Sequence, residues 1–312
     1  MVQQRVPLSP PGPPRQRPPR PSRSQLAVRR GIALVLLAGG LGLAVWLVAL
    51  GVGTIRGGGK HAATPTVPAA PPPLKIIFPE GFTRDQMAER IKAVDRIARE
   101  KRKINPRLSA QAYLTATSSS TIPGKFARDG KHRMLEGFLF PATYDFAQRT
   151  TSRQLVNRQL VSFQRNWSTV NLGYASSKHL TPYDVLIIAS MIEKEVIAPD
   201  ERALVAAVIY NRLHLGMALQ IDATVRYGLK LPGTEPLLQS QLNDTSNPYN
   251  TRKLPGLPPT PIANPGLASM QAAAHPAHVN YLYFVRKPDK IHHFFTASKS
   301  EFDTYAAAHG FG

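Results

Sequence analysis

At 312 residues the chain has room for one or two domains and a sizeable core. It carries 39 Lys and Arg against 19 Asp and Glu, a formal net charge of +20, and no cysteine. The missing cysteine excludes a disulfide framework, a thiolate metal site and a thiol nucleophile. The positive balance suits an anionic polymer or anionic lipid headgroups; no basic helix or aromatic-interleaved motif directs it to nucleic acid.

Residues 1–60 hold nine basic residues and no acid. Within 1–30 prolines alternate with arginines, a composition that cannot bury a core and predicts a disordered tail. Gly31–Ile55 follows, 25 residues without a charge, long enough to cross a bilayer with some tilt. A cleaved signal peptide is the rival reading, but the apolar run is too long for one and lies behind a long tail. Arginines gathered before the span place the N-terminus in the cytoplasm and everything after Ile55 outside. Residues 56–73, rich first in Gly and then in Pro, read as a linker.

Leu74–Ile77 predicts a strand, Pro79-Glu80-Gly81 a turn, and Thr83–Glu100 a helix with Met87, Ile91, Val94 and Ile97 on one face. Residues 74–130 are expected to form a small strand–helix subdomain, and 131–312 the main domain. Arg153–Asn166 reads as an amphipathic helix. Thr181 with Asp184 three residues on, and Pro182 between them, predict the start of a buried helix running through Val185–Ile197. A second helix, Glu201–His214, has Asp200 as expected N-cap and Gly216 past its end. Ala218–Tyr227 looks strand-like, and Ser246–Pro265 is a proline-rich loop. Tyr281–Val285 and Ile291–Thr296 predict a hairpin, and Ser298 with Glu301 a capped final helix. The expected fold class is α+β, with short strands walling a groove.

The chemistry centres on Glu193-Lys194-Glu195 at the end of the buried helix. At about 100° per residue, Lys194 points away from the apolar centroid, while Glu193 lies roughly 70° and Glu195 roughly 90° from it. A carboxylate set in an apolar stripe is costly unless paired or used. Either glutamate could be a boundary acid paired with Arg202 or Arg212; alternatively, burial raises a carboxyl pKa until the group serves as a general acid. The helix alone leaves both readings open.

Several uncommon words occur in a fixed order: LEGFLFPATYDF (Leu135–Phe146), IASMIEKEV (Ile188–Val196), ERALVAAVIYNRLHLGMALQIDATVRYGL (Glu201–Leu229), SNPYNTRKLPGLPPTPIANPG (Ser246–Gly266), AAAHPA (Ala272–Ala277) and YLYFV (Tyr281–Val285). Together they resemble the endolytic murein transglycosylase, or YceG-like, family. The resemblance implies a membrane-anchored lytic transglycosylase of the bacterial inner membrane, with its catalytic domain over 131–312 and outside the cytoplasm. It implies no cofactor, and it implies peptidoglycan glycan strands as substrate. Peptidoglycan synthases (the penicillin-binding proteins) and the division machinery are the implied protein partners. By position in the IEKE word the catalytic acid is assigned to Glu193, with Glu195 as the fallback. Two departures touch substrate contacts: Thr260 stands where Gly is common, and Glu301-Phe302 where many members have Glu-His.

Lytic transglycosylation needs one placed acid, whereas hydrolysis usually needs two carboxyls. A lysozyme-type hydrolase would recruit Asp222 or Glu136 as the second. A wall-binding or division-scaffold protein using the same groove is the non-enzymatic alternative. Glu136, Gln220, Asp222, Tyr227, Tyr249 and Asn250 are the candidate substrate-binding residues; for Asp222 the plain alternative is a turn cap, and for Glu136 a buried ion pair. His275, His278, His292 and His293 do not match the usual zinc spacings, and adjacent strand residues point to opposite faces. No metal is expected.

Overall fold

A computed structural model describes residues 73–119, 121–126 and 133–310. The expected tail, the expected membrane span and all of the linker but Pro73 lie outside the described residues. Among the described residues no helix is long and apolar enough to cross a membrane.

The architecture is mixed α+β, built around helix α5, Pro182–Glu195. The labels α1–α4 go to Arg84–Arg102, Ala110–Ser119, Ser152–Trp167 and Gly173–Ser177. At the start of α5 the Thr181 side chain accepts from the Asp184 N–H, and the Asp184 carboxylate accepts from the Thr181 N–H at 2.8 Å. Pro182 takes the first turn, where its missing N–H removes no helical bond. Every residue from Val185 to Ile192 is buried. So long an apolar run has no polar face to give to solvent, so it must be covered by other helices. Two of its neighbours are α6 (Arg202–His214) and α9 (Leu267–Ala274), with α7 (Asp222–Leu229) and α8 (Gln239–Asn243) between them in sequence.

Strand β1 (Leu74–Ile77) pairs antiparallel with β2 (Thr143–Phe146), Leu74 opposite Phe146 and Ile77 opposite Thr143. This pairing crosses the boundary expected near residue 130, and one apolar core runs from Ile76 to Ala274. The strand pair and the core thus join residues on both sides of position 130. The reason is strand economy: β1 has no partner of its own, and an isolated strand leaves its backbone groups unpaired. α1 carries the predicted stripe, with Met87 and Ile91 buried. Ile97, however, is 52 % exposed, and Ala98 takes its place in the core, because a 3.6-residue period reaches residue 98 eleven positions after Met87.

Strands β3 (Tyr283–Arg286) and β4 (His293–Thr296) form the expected hairpin, and Ser298 caps α10 (Lys299–Ala308) by accepting from Glu301 N–H. Two expectations are corrected. α6 starts at Arg202, after a 3-10 turn over Pro199–Glu201, with no side-chain cap from Asp200. The strand-like 218–227 is instead a turn followed by α7. Gln220 sits at φ +56°, which breaks the extended run, and Thr251 takes up its N–H and that of Ile221. Helix then begins at Asp222, an acid in the first turn where the helix dipole favours one.

Candidate active site

Beside the C-terminal turn of α5, a proline-rich loop and two turns are tied together by one side chain, Asn264. It is fully buried. Its Oδ1 accepts from the backbone N–H groups of Gly137 and Leu139, both at 2.9 Å, while its Nδ2 donates to Phe82 O at 2.9 Å and to Glu136 Oε1 at 2.7 Å. Its backbone also exchanges hydrogen bonds with Gly81 and Phe82. Gly137 can lie against the loop because it lacks a Cβ: it has φ +88°, and a methyl there would meet Pro261 at 2.7 Å. From α5 itself, Ser190 Oγ accepts the Ile262 N–H at 3.0 Å.

Glu136 belongs to this framework. It is 5 % exposed, and its carboxylate accepts from the Arg84 N–H at 3.0 and 3.1 Å, from Asn264 and from Tyr227 Oη at 3.2 Å. Burial raises its pKa to about 7, against the pull of these donors. The carboxylate therefore ties the first turn of α1 to α7 and the loop. Tyr227 stacks edge-on against Tyr249, whose hydroxyl bonds Thr260 at 2.9 Å. Asn250, expected to face substrate, is fully buried: its Nδ2 donates to Gln241, Leu242 and Asp244 carbonyls, and its Oδ1 accepts from Arg252 N–H. Both ends of the amide are committed to closing the loop, so its part is structural.

The two glutamates of the IEKE word open on different surroundings, as two residues of helix separate them by about 200°. Glu193 Oε2 accepts the Gly266 N–H, the N-cap position of α9, at 3.0 Å. Its Cγ lies 3.5 Å from where a Cβ on Gly81 would stand. A second carboxylate, Glu80, reaches the same place, its Oε1 only 1.8 Å from the Cβ position that Gly266 leaves empty. The Glu80 pKa is raised, first by burial and then by Glu193, with Arg202 opposing. Lys194 Nζ donates to Gly81 O at 3.3 Å.

Glu195 faces the other way, toward α7 and the hairpin. The Ala223 N–H in the first turn of α7 is among the groups that pull its pKa down. Arg286 of β3 donates to the Glu195 backbone oxygen at 2.7 Å. Burial raises the Glu195 pKa to about 7, with nearby Asp222 pushing the same way and Arg286, the Ala223 N–H and Lys194 pulling back. Asp222 is exposed and paired with Arg252 at 2.8 Å. Gln220 Oε1 accepts from Arg212 Nη1 at 3.1 Å. A carboxyl half protonated near neutrality can both give and take a proton.

The structure thus turns Glu195 toward Asp222 and Glu193 toward Gly266 and Glu80, with Gln220 held by Arg212 and Glu136, Tyr227 and Tyr249 in a buttress. Sequence reasoning missed Glu80, Arg286 and Asn264. Glu80 had been seen only as part of a turn, Arg286 only as part of a hairpin, and the sole sign of Asn264 was its place in a loop dense with prolines.

These features define an α+β protein that carries two half-buried carboxyls at the end of its central helix. A family model described as the YceG-like family matches residues 61–308. An endolytic murein transglycosylase of Streptococcus pneumoniae strain R6 is 30% identical over 260 residues, covering 78% of this chain and 46% of that protein. One of Bacillus subtilis is 32% identical over 218 residues, covering 69% and 59%. The chain therefore spans about half the length of the curated relatives it matches. The crystal structure of a YceG-like protein from Listeria monocytogenes superposes with a TM-score of 0.64 at 29% identity, covering 76% of this chain and 77% of that one. The chain belongs to the YceG-like family.

Proposed function

We propose that the protein is an endolytic lytic transglycosylase of peptidoglycan, anchored in the bacterial inner membrane by Gly31–Ile55 with its catalytic domain outside. The names of the S. pneumoniae and B. subtilis relatives support the activity, and the arginine-flanked apolar run supports the anchor. Peptidoglycan synthases and the division machinery are the partners this reading suggests, with termination of growing strands as the role.

The acid we propose is Glu195, two residues beyond the position assigned from the IEKE word. One observation carries this choice: Arg286 and the Asp222 end of α7 stand at Glu195, whose pKa burial raises to about 7, whereas Glu193 is tied to the Gly266 N–H and turned toward another carboxylate. Protonated Glu195 gives its proton to the glycosidic oxygen as the bond from N-acetylmuramic acid to N-acetylglucosamine breaks. The 6-hydroxyl of the muramyl sugar closes on its own anomeric carbon, and the Glu195 carboxylate takes the hydroxyl proton. The products are a free 4-hydroxyl and a 1,6-anhydro end, with no water consumed. Asp222 and Gln220, near the acid, are the proposed substrate contacts, with Tyr227 and Tyr249 as the wall beyond.

The test is product mass from purified glycan strands treated with the full-length chain. An anhydro end, lighter by one water than a hydrolysis product, is expected. A reducing end would mean hydrolysis and a second carboxyl, with Asp222 first in line. Strand binding without cleavage would leave the wall-binding reading.

A further inference from the structure

A cavity of about 620 Å³ lies on a wall of α6, and neither Glu193, Glu195 nor Asp222 lines it. Small-ligand sites span about 300–1,000 Å³. Tyr210 and Asn211 of α6 form the floor, Tyr174 of α4 one side, and His278, Asn280 and Tyr281 the other. The AAAHPA and YLYFV words meet at this second side, and nothing in the acid site uses it.

The floor is set by committed polar groups. Tyr210 Oη donates to Ala273 O at 2.8 Å, and Asn211 Nδ2 donates to Val279 O and Tyr281 O, both at 2.9 Å. The sides are aromatic: Tyr174 lies tilted against Tyr210 and edge-on to His278, each at 5.7 Å between ring centres. Lys178 Nζ stands 5.6 Å from the Tyr174 ring centre. Tyr174 is half-buried while His278 and Asn280 are exposed, so ring surface and hydrogen-bonding groups both meet solvent at the rim. Aromatic faces with a few placed polar groups suit the apolar C–H faces and acetamido groups of amino sugars.

Two pieces of backbone join this cavity to the acid. Arg212 follows Asn211 on α6 and reaches Gln220 and Leu282 O. Tyr281 leads into β3, whose Arg286 holds the Glu195 carbonyl. We propose that the cavity is a second glycan subsite, holding one or two N-acetylhexosamine units of the strand away from the bond that is cut. The proposal rests on the reading of the ligand as glycan and not on cleavage.

The probe is the β-1,4-linked tetramer of N-acetylglucosamine, titrated calorimetrically into the full-length Glu195→Gln protein, which does not consume it. Two binding events are expected. Tyr174→Ala with His278→Ala should remove one, and Ala277→Trp, which fills the cavity from its rim, should do the same with an unchanged melting temperature. Restored to Glu195, the Tyr174→Ala protein should show a KM for long strands about 3- to 10-fold higher, as loss of an aromatic contact predicts, with kcat kept. Binding untouched by both sets of changes overturns the subsite, as does a muramyl peptide fragment occupying the cavity where the tetramer does not. Two events with no cleavage by wild type would reject the enzymatic reading and leave the subsite standing.

Discussion

Glu193 and Glu195 sit two residues apart on one helical turn, and their surroundings differ in kind. The Glu193 side is a joint: Gly81, Gly266 and the Glu80 carboxylate close on it, and its oxygen is spent on a backbone N–H. The Glu195 side is half-buried as well, but it meets a guanidinium and a further carboxylate, and burial raises its pKa to about 7. A rotation of about 200° thus gives two acids of one helical turn different partners, and the proposed proton donor is the one turned toward α7.

The largest effect expected from breaking this contrast is that of Glu195→Gln. The amide keeps the size but cannot carry the proton, and general acid–base help is worth about 10²–10⁴-fold; with one carboxyl serving both steps, kcat should fall toward the upper end. Initial rates on defined glycan strands check it. Asn264→Ala comes next, and acts on stability. It strips partners from the Gly137 and Leu139 N–H groups, Phe82 O and Glu136 together, so a loss of about 3 kcal/mol or more is expected by urea unfolding. A loss under about 1 kcal/mol would mean the loop does not depend on this clamp.

Glu193→Gln should cost under about tenfold in kcat if the joint is structural, since it removes no acid–base step. Equal loss from Glu193→Gln and Glu195→Gln would erase the contrast. The smallest effect is expected at Gly266→Ala. The added methyl collides with Glu80, but the colliding atoms are the far end of a flexible side chain, so destabilisation should stay within about 1 kcal/mol.

Linkage adds a signed expectation. Glu136 and Glu195 both have folded pKa values raised from 4.5 to about 7. The stability they contribute is therefore fully present below about 4.5 and is lost as pH rises through about 7. The melting temperature should fall between pH 5 and 8, and fall less in a Glu136→Gln, Glu195→Gln double variant.

Local signals in the sequence were enough for the elements that caps and periodicity define. Thr181 and Asp184, Thr83, Ser298 and the aromatic-rich hairpin all announce themselves within a few residues. The Ala218–Tyr227 stretch misled because its alternation is real up to Ile221; only Thr251, thirty residues on, shows why the run turns at Gln220 and becomes helix. The same distance limit hid the site. That the candidate acid lies at the end of α5 was legible, but choosing between the two glutamates depends on Gly266 and Asp222, both far along the chain, and on the Arg286 hairpin. Asn250 looked like a ligand contact because polar residues in loops often are, while Glu136 stood open between a sugar contact and a buried ion pair; their burial comes from Asn264 and the 241–244 carbonyls, which no local pattern signals.

The central claim is that Glu195 is the proton donor, tuned by burial to about 7, and the pH dependence of kcat tests it most directly. With protonated Glu195 required, the wild-type rate should be level in mild acid, halve near pH 7 and fall about tenfold per unit above it. A rate level from pH 5 to 9, or one that falls with its midpoint near an ordinary carboxyl value of about 4.3, would contradict it.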